Sequence, residues 1–284
     1  MNDFPLNVPE LMRQYGLRAD KRLGQNFLVD QAALNKVVEA ANIEASDTVL
    51  EIGPGLGSLT YLLASKARRV VAVELDQRLI PVLHQVLDPF QNVEVILGDI
   101  LQINLNKVMQ TSGYLVVANI PYYITSNLIR QLLETQTSPR RMILTVQKEV
   151  AERICAQPGE MSLLAISVQV YGQPVVAATI SAGSFYPSPK VDSAVVRVDL
   201  YPEPKIDPGL LKTFFKLAKA GFSQKRKTLK NALSGGMHWL PNDTEWVLEM
   251  AEIDPRRRAE TLALDEWSNL AQQARIRMDE NQIK

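Results

Sequence analysis

The chain has 284 residues, 46% of them hydrophobic and 22% charged, a balance that allows a sizeable core and excludes wholesale disorder. Its 31 basic and 31 acidic side chains cancel, so the total charge by itself speaks against a polyanionic partner. One cysteine, Cys155, and two histidines, His84 and His238, exclude a disulfide framework and a Cys/His zinc site, and no metal is expected.

Residues 1–16 lack an apolar core, so no signal peptide is expected and the cytoplasm is the default location. From Asp47 onward short apolar runs alternate with periodic segments. Strands are expected at Thr48–Ile52, Val70–Glu74, Val93–Leu97, Tyr114–Ala118 and Met142–Val146, with crossover helices at Leu59–Ala67, Leu79–Leu87 and Ser126–Thr135. This alternation predicts an α/β fold, a Rossmann-like doubly wound parallel sheet with ligands at the carboxyl ends of its strands. The uncharged stretch 161–189 has no apolar run of about 18 residues, so it reads as strands and turns rather than a membrane span. Thr179–Phe185 and Ala194–Leu200 follow without an intervening helix, so the sheet is expected to finish in an antiparallel hairpin.

Tyr201-Pro-Glu-Pro-Lys205 reads as a linker, dividing the chain into a first domain at 1–203 and a small all-α domain at 204–284. Helices are expected there at Leu210–Ala220, Gln224–Leu233, Thr244–Ile253 and Asp265–Arg277, with Ser223, Asp243 and Asp265 as N-caps and Gly235-Gly236 in a turn. Trp239, Trp246 and Trp267 read as the core of that domain.

Three strand ends carry chemistry. Glu51-Ile-Gly53-Pro-Gly55-Leu-Gly57 closes the first expected strand and opens a helix, where glycines let the backbone approach a ligand. A dinucleotide fingerprint has its last glycine one position later, where this chain has Ser58, so a nicotinamide dinucleotide is disfavoured. Glu74 follows Gly53 by 21 residues, near the ~20-residue offset at which a carboxylate grips a ribose diol. Asp99, after the third strand, is placed to accept from an adenine amino group. Together these ends describe a nucleoside-sized site without a pyrophosphate grip, and S-adenosyl-L-methionine is such a ligand.

Asn119-Ile120-Pro121-Tyr122 follows the fourth strand. An adenine amino nitrogen is a weak nucleophile because its lone pair is delocalised into the ring. The Asn119 side-chain oxygen and the Ile120 carbonyl can accept its two N–H bonds if Pro121 fixes the turn, freeing the lone pair for attack on a methyl sulfonium. Tyr122 offers a ring for the base, and Phe185, in Ser184-Phe-Tyr-Pro-Ser-Pro-Lys190, is a candidate second ring facing it.

At these residues the sequence resembles the ribosomal RNA adenine dimethyltransferase family, KsgA type. The resemblance spans most of the chain. It is carried by Gly24-Gln-Asn-Phe-Leu28, Glu51-Ile-Gly-Pro-Gly55, Glu74-Leu-Asp76, Asn119-Ile-Pro-Tyr122, Gln147-Lys-Glu149, Pro187-Ser-Pro-Lys-Val-Asp-Ser-Ala194 and Gly221-Phe-Ser-Gln-Lys-Arg-Lys-Thr-Leu229. The resemblance implies a class I methyltransferase domain followed by a helical RNA-binding domain. It also implies dimethylation of two adjacent adenosines near the 3′ end of small-subunit (16S) rRNA, with S-adenosyl-L-homocysteine as product and a role in 30S biogenesis. It adds Asn26 and Leu28 to the cofactor set of Gly53, Gly55, Glu74, Leu75, Asp99, Ile100 and Asn119.

Between Lys205 and Asn231 lie eight basic residues and one acid, Asp207, a local charge of +7. Arg13, Arg18, Lys21 and Arg22 form a second basic cluster and Arg256–Arg258 a third. Arg22, Lys190, Lys225, Arg226, Lys227 and Lys230 are the expected RNA contacts. Such chemistry needs an unpaired or extruded base, so the expected partner is structured RNA or an immature 30S particle, met by a monomer. The competing readings are a resistance-type methylase of 23S rRNA and a non-catalytic assembly or transcription factor on the same fold.

Overall fold

The computed structural model describes residues 6–120 and 125–282 and divides the chain into two compact units. One unit is built from the chain up to Ala151 together with Pro174–Leu200; the other from Glu152–Gln173 together with the chain from Tyr201 onward.

The strands are β1 (Phe27–Leu28), β2 (Thr48–Ile52), β3 (Arg69–Glu74), β4 (Val93–Leu97), β5 (Leu115–Asn119), β6 (Arg141–Gln147), β7 (Gly172–Ile180), β8 (Phe185–Tyr186) and β9 (Ser193–Leu200). The main sheet runs β4-β3-β2-β5-β6-β9-β7, parallel from β4 to β6 and antiparallel between β6 and β9. Strand order reverses between β2 and β5, so their carboxyl ends form the topological switch point, where open α/β sheets bind ligands. The central strands are near-continuous apolar runs because both faces are covered: Val70, Val71, Leu115, Val116 and Val117 are each fully buried.

The closing hairpin exists, but its first strand is Gly172–Ile180, earlier than the expected Thr179–Phe185. Chain direction changes at a 3-10 turn, Ala182–Ser184, after which Phe185–Tyr186 leaves the sheet and pairs antiparallel with β1, Leu28 opposite Phe185. The stretch 161–189 is also not all strand. Leu163–Gln169 is a helix, capped by Ser162 Oγ accepting from the Ala165 amide at 3.1 Å.

That helix alters the domain division. Ala165, Ile166 and Val170 pack with Phe214, Leu217 and Trp267 in the core of the helical unit, so 152–173 joins the chain beyond Leu200. In the same unit Gly235-Gly236 lies inside the helix Leu229–Met237, not in a turn. A Cβ on Gly236 would come 2.5 Å from Ala220 Cβ on the helix Leu211–Phe222, so glycine is what lets these two helices touch.

The expected caps also move. Ser223 closes a helix, its Oγ donating to the Ala220 carbonyl at 2.7 Å, and Gln224–Lys227 is an exposed turn. The next helix begins at Leu229, whose amide and that of Lys230 donate to the carbonyls of Arg257 and Pro255. Asp243 sits in the first turn of Pro241–Met250, and Asp265 in that of Leu264–Gln282. There Glu266, not Asp265, caps, accepting from the Ala263 amide at 2.8 Å.

Candidate active site

A cavity of about 210 Å³ opens at the carboxyl ends of β2, β3, β4 and β5. Its lining includes Ile52, Gly53 and Gly55 at the end of β2, Val73, Glu74 and Leu75 at that of β3, Asp99 and Ile100 after β4, Asn119 and Ile120 at β5, and also Leu23–Phe27, Leu79 and Phe185. The Gly53–Gly57 loop is stiff. Gly53 N donates to Val73 O at 3.0 Å, Gly57 N to Pro54 O at 3.0 Å, and Gly55 N to Glu74 Oε2 at 3.1 Å. Unlike a phosphate-gripping loop, this one spends its glycine amides inside the protein. Gly55 has φ +62°, and a Cβ there would lie 2.8 Å from the Phe27 ring, so both backbone and neighbour demand glycine.

Glu74 is buried, and its Oε1 accepts from the Asp76 amide at 2.8 Å. Burial raises its carboxyl above the usual range against the lowering influence of these two amides. A carboxylate has about four acceptor positions, so Glu74 retains capacity for two donors from a ligand. Beneath the loop, burial pushes the Glu51 carboxyl up to about 8, with the nearby Glu74 charge adding to the rise; among the described residues Glu51 Oε2 has no hydrogen-bond partner. Asp99 accepts from the Leu101 amide at 3.0 Å and from Gln102 Nε2 at 3.1 Å, so it both shapes its turn and lines the cavity.

Asn119 Nδ2 donates to the Asn26 carbonyl at 3.0 Å. The reverse orientation would set two oxygens against each other, so this bond fixes which end of the amide is which and leaves Oδ1 as an acceptor. Such an amide can draw on an N–H donor presented at the end of β5.

Of the expected cofactor residues, Asn26, Gly53, Gly55, Glu74, Leu75, Asp99, Ile100 and Asn119 share this cavity. Leu28 does not line it; it is buried with Leu34, Val117 and Phe185 in the core beside β8. Phe185 is buried yet lines the cavity, while Pro121 and Tyr122 lie outside the described residues. Composition and spacing missed Gln25, which lines the cavity and donates through Nε2 to Asp76 Oδ2 at 2.8 Å. Its only sequence signal was its place in Gly24-Gln-Asn-Phe-Leu28.

The basic residues separate into two kinds. Arg22 is bound to Asp20 at 2.9 Å, Lys230 is ion-paired with Glu245, and Arg256, Arg257 and Arg258 pair with Asp254, Glu266 and Glu260. The third basic cluster is thus neutralised. Lys190 is exposed beside Gln147 and Asp192, and Lys225, Arg226 and Lys227 are exposed in their turn with no acid in ion-pair range among the described residues.

The family model Ribosomal RNA adenine dimethylase matches residues 16–274. The chain belongs to that family. Ribosomal RNA small subunit methyltransferase A of Dehalococcoides mccartyi is 46% identical over 262 residues, covering 92% of this chain and 90% of that protein. The protein of the same name from Bacillus cytotoxicus is 39% identical over 277 residues, covering 94% and 95%. Among solved structures, a dimethyladenosine transferase from Plasmodium falciparum aligns with a TM-score of 0.76 and 28% identity over 89% of this chain and 98% of that one. The 23S rRNA methyltransferase ErmE aligns with a TM-score of 0.72 and 26% identity over 88% and 100%. The fold is the α/β fold of class I methyltransferases, and this adenine dimethylase family member is an enzyme.

Proposed function

We propose that this dimethylase transfers methyl groups from S-adenosyl-L-methionine to the amino nitrogens of two adjacent adenosines near the 3′ end of small-subunit rRNA. The observation that carries this reading is the Asn119 amide, turned by the Asn26 carbonyl so that Oδ1 is its accepting end beside a nucleoside-sized cavity. The residues present fit the cofactor: buried Glu74 has acceptor capacity for two ribose hydroxyls, and Ile52, Val73, Leu75 and Leu79 offer apolar walls to a flat base. Asp99 and Ile100 would hold the adenine, with Gly53, Gly55 and Asn26 at the remainder of the ligand. Leu28 would act from behind, through the β1–β8 pair.

When bound, the cofactor supplies an electrophilic methyl group on a positively charged sulfur. Asn119 Oδ1 and the Ile120 carbonyl accept the N–H bonds of the target adenine, which localises its lone pair. Pro121 would set the turn and Tyr122 stack the base, with Phe185 on the cavity wall. Lys190 and Lys225–Lys227 would meet RNA phosphates, and the partner would be an immature 30S particle in the cytoplasm, met by a monomer. Among the described residues no helix is long and apolar enough to cross a membrane.

The test is to incubate the protein with immature small subunits, and separately with large-subunit RNA, in the presence of labelled S-adenosyl-L-methionine, and map the modified bases. Two adjacent dimethyladenosines near the small-subunit 3′ end are expected. Label confined to large-subunit RNA, or absent from both, would overturn the reading.

A further inference from the structure

One polar cluster beside the cavity has no part in that chemistry: Asp20, Gln25, Asp76 and Arg78. Both ends of the Gln25 amide are committed. Its Nε2 donates to Asp76 Oδ2 at 2.8 Å, across 51 positions of chain, and its Oε1 accepts from the Asp20 amide at 2.7 Å. Asp76 is buried and also accepts from Arg78 through N, Nε and Nη2 at 3.0, 2.8 and 2.6 Å. Arg78 Nη2 reaches to 3.9 Å from the Asp20 carboxylate, so two ties join residues 20–28 to the end of β3.

The residues after Gln25 complete a chain of contacts. Asn26 accepts from Asn119 Nδ2 through its carbonyl, and Phe27 packs against Gly55. The β3 end therefore grips the segment at Gln25, and the segment grips the β5 end at Asn119. Burying a carboxylate is costly unless its partners are in place, so Asp76 selects the arrangement in which Gln25 faces it.

We infer that Gln25 and Asp76 are positioning residues for methyl transfer: their bond holds residues 20–28 where the Asn26 carbonyl fixes the Asn119 amide. This rests on the proposed role of Asn119, although the geometric link can be read without activity. In Gln25→Glu two carboxylates face each other and the segment is pushed away. Gln25→Met keeps the length of the side chain and removes both of its hydrogen bonds without adding a charge, so Asp76 keeps its bonds to Arg78.

The experiment combines two readouts. Nitrogen-15 spectra of asparagine-labelled protein without cofactor follow the Asn119 side-chain amide, identified by its absence in Asn119→Ala. Steady-state kinetics on immature small subunits give kcat and the KM for RNA. In Gln25→Glu the Asn119 signal should move toward that of an exposed asparagine, and kcat should fall by about tenfold to a hundredfold with the RNA KM unchanged. Gln25→Met should move both in the same direction by a smaller amount, since it loses the bond without the repulsion. An Asn119 signal unmoved in Gln25→Glu, or a kcat unchanged in both variants, would overturn the inference. If the signal responds as expected while the wild-type protein methylates no RNA, the positioning link stands and the proposed function falls.

Discussion

In the sheet-bearing unit Asp47, Glu51, Glu74 and Asp76 are all buried, whereas the helical unit buries Thr213 and Thr244 but, among the described residues, none of its charged side chains. Asp243, Asp254 and Glu266 there are half-buried or exposed and each pairs with an arginine, and the lysine-rich turn stands in solvent. The difference suits the two kinds of ligand proposed for this protein. A charge in a dry cavity acts strongly over a few ångströms on a small molecule, while exposed charges are screened and matter in numbers, along a polyanion. The zero net charge of the chain is an average over these two arrangements.

The largest effect expected on the buried side is at Asn119. Asn119→Ala removes the proposed acceptor, and kcat should fall by roughly 10³-fold or more while RNA affinity holds. Filter binding beside turnover separates the two. A variant that keeps near-normal kcat removes Asn119 from the chemistry, and RNA binding that falls with kcat would mean that the two units are not separable in function.

Glu51 tests the burial itself. Its carboxyl is pushed up to about 8 by burial, so the folded state holds a proton that the unfolded chain gives up near the ordinary carboxylate value of 4.5. The stabilisation is complete below that value and is lost as pH rises toward 8, by up to about 1.4 kcal/mol per pH unit. Glu51→Gln keeps the shape and removes the titration. Urea unfolding followed by far-ultraviolet circular dichroism at pH 5 and pH 9 should show a larger loss in the wild type, by a few kcal/mol. Equal pH dependence in the two proteins would mean that Glu51 is not held protonated.

The same contrast explains what was legible in the sequence. Strands Thr48–Ile52 and Val93–Leu97 stand where their apolar runs predict. Glu74, Asp99 and Asn119 line one cavity because each stands at or just beyond the end of a parallel strand, and topology alone brings such ends together. Gln25 was invisible to that logic because its partner Asp76 is fixed by tertiary contact across 51 residues. The stretch around the helix Leu163–Gln169 reads as strands and turns because Leu-Leu-Ala-Ile-Ser-Val-Gln carries no charged stripe to mark a helical period. Gly235-Gly236 signalled a turn, but the close helix that glycine admits is only evident from Ala220. Likewise the sequence counts Arg256–Arg258 and Lys225–Lys227 as equal basic triplets, since pairing with Asp254, Glu260 and Glu266 is a matter of folding.

Those two triplets give the smallest and most discriminating test. If unpaired charge is what the helical unit contributes, Lys225→Ala, Arg226→Ala and Lys227→Ala together should weaken RNA binding. The slope of log affinity against log salt should then fall by roughly 0.7–0.9 for each RNA phosphate no longer neutralised, about 2 to 3 in all. Turnover at saturating RNA should be unaffected, because the cavity lies wholly within the sheet-bearing unit. The control is to remove a paired charge with its partner: Arg256→Ala with Asp254→Ala deletes an ion pair of 3.0 Å and no net charge. That double variant should leave the slope where it was. A slope unchanged in the lysine-turn variant would remove the turn from the interface. A slope that instead falls in the Arg256/Asp254 variant would mean that RNA displaces Asp254 from Arg256, and that the charge free to bind RNA differs from the charge left unpaired in the folded protein.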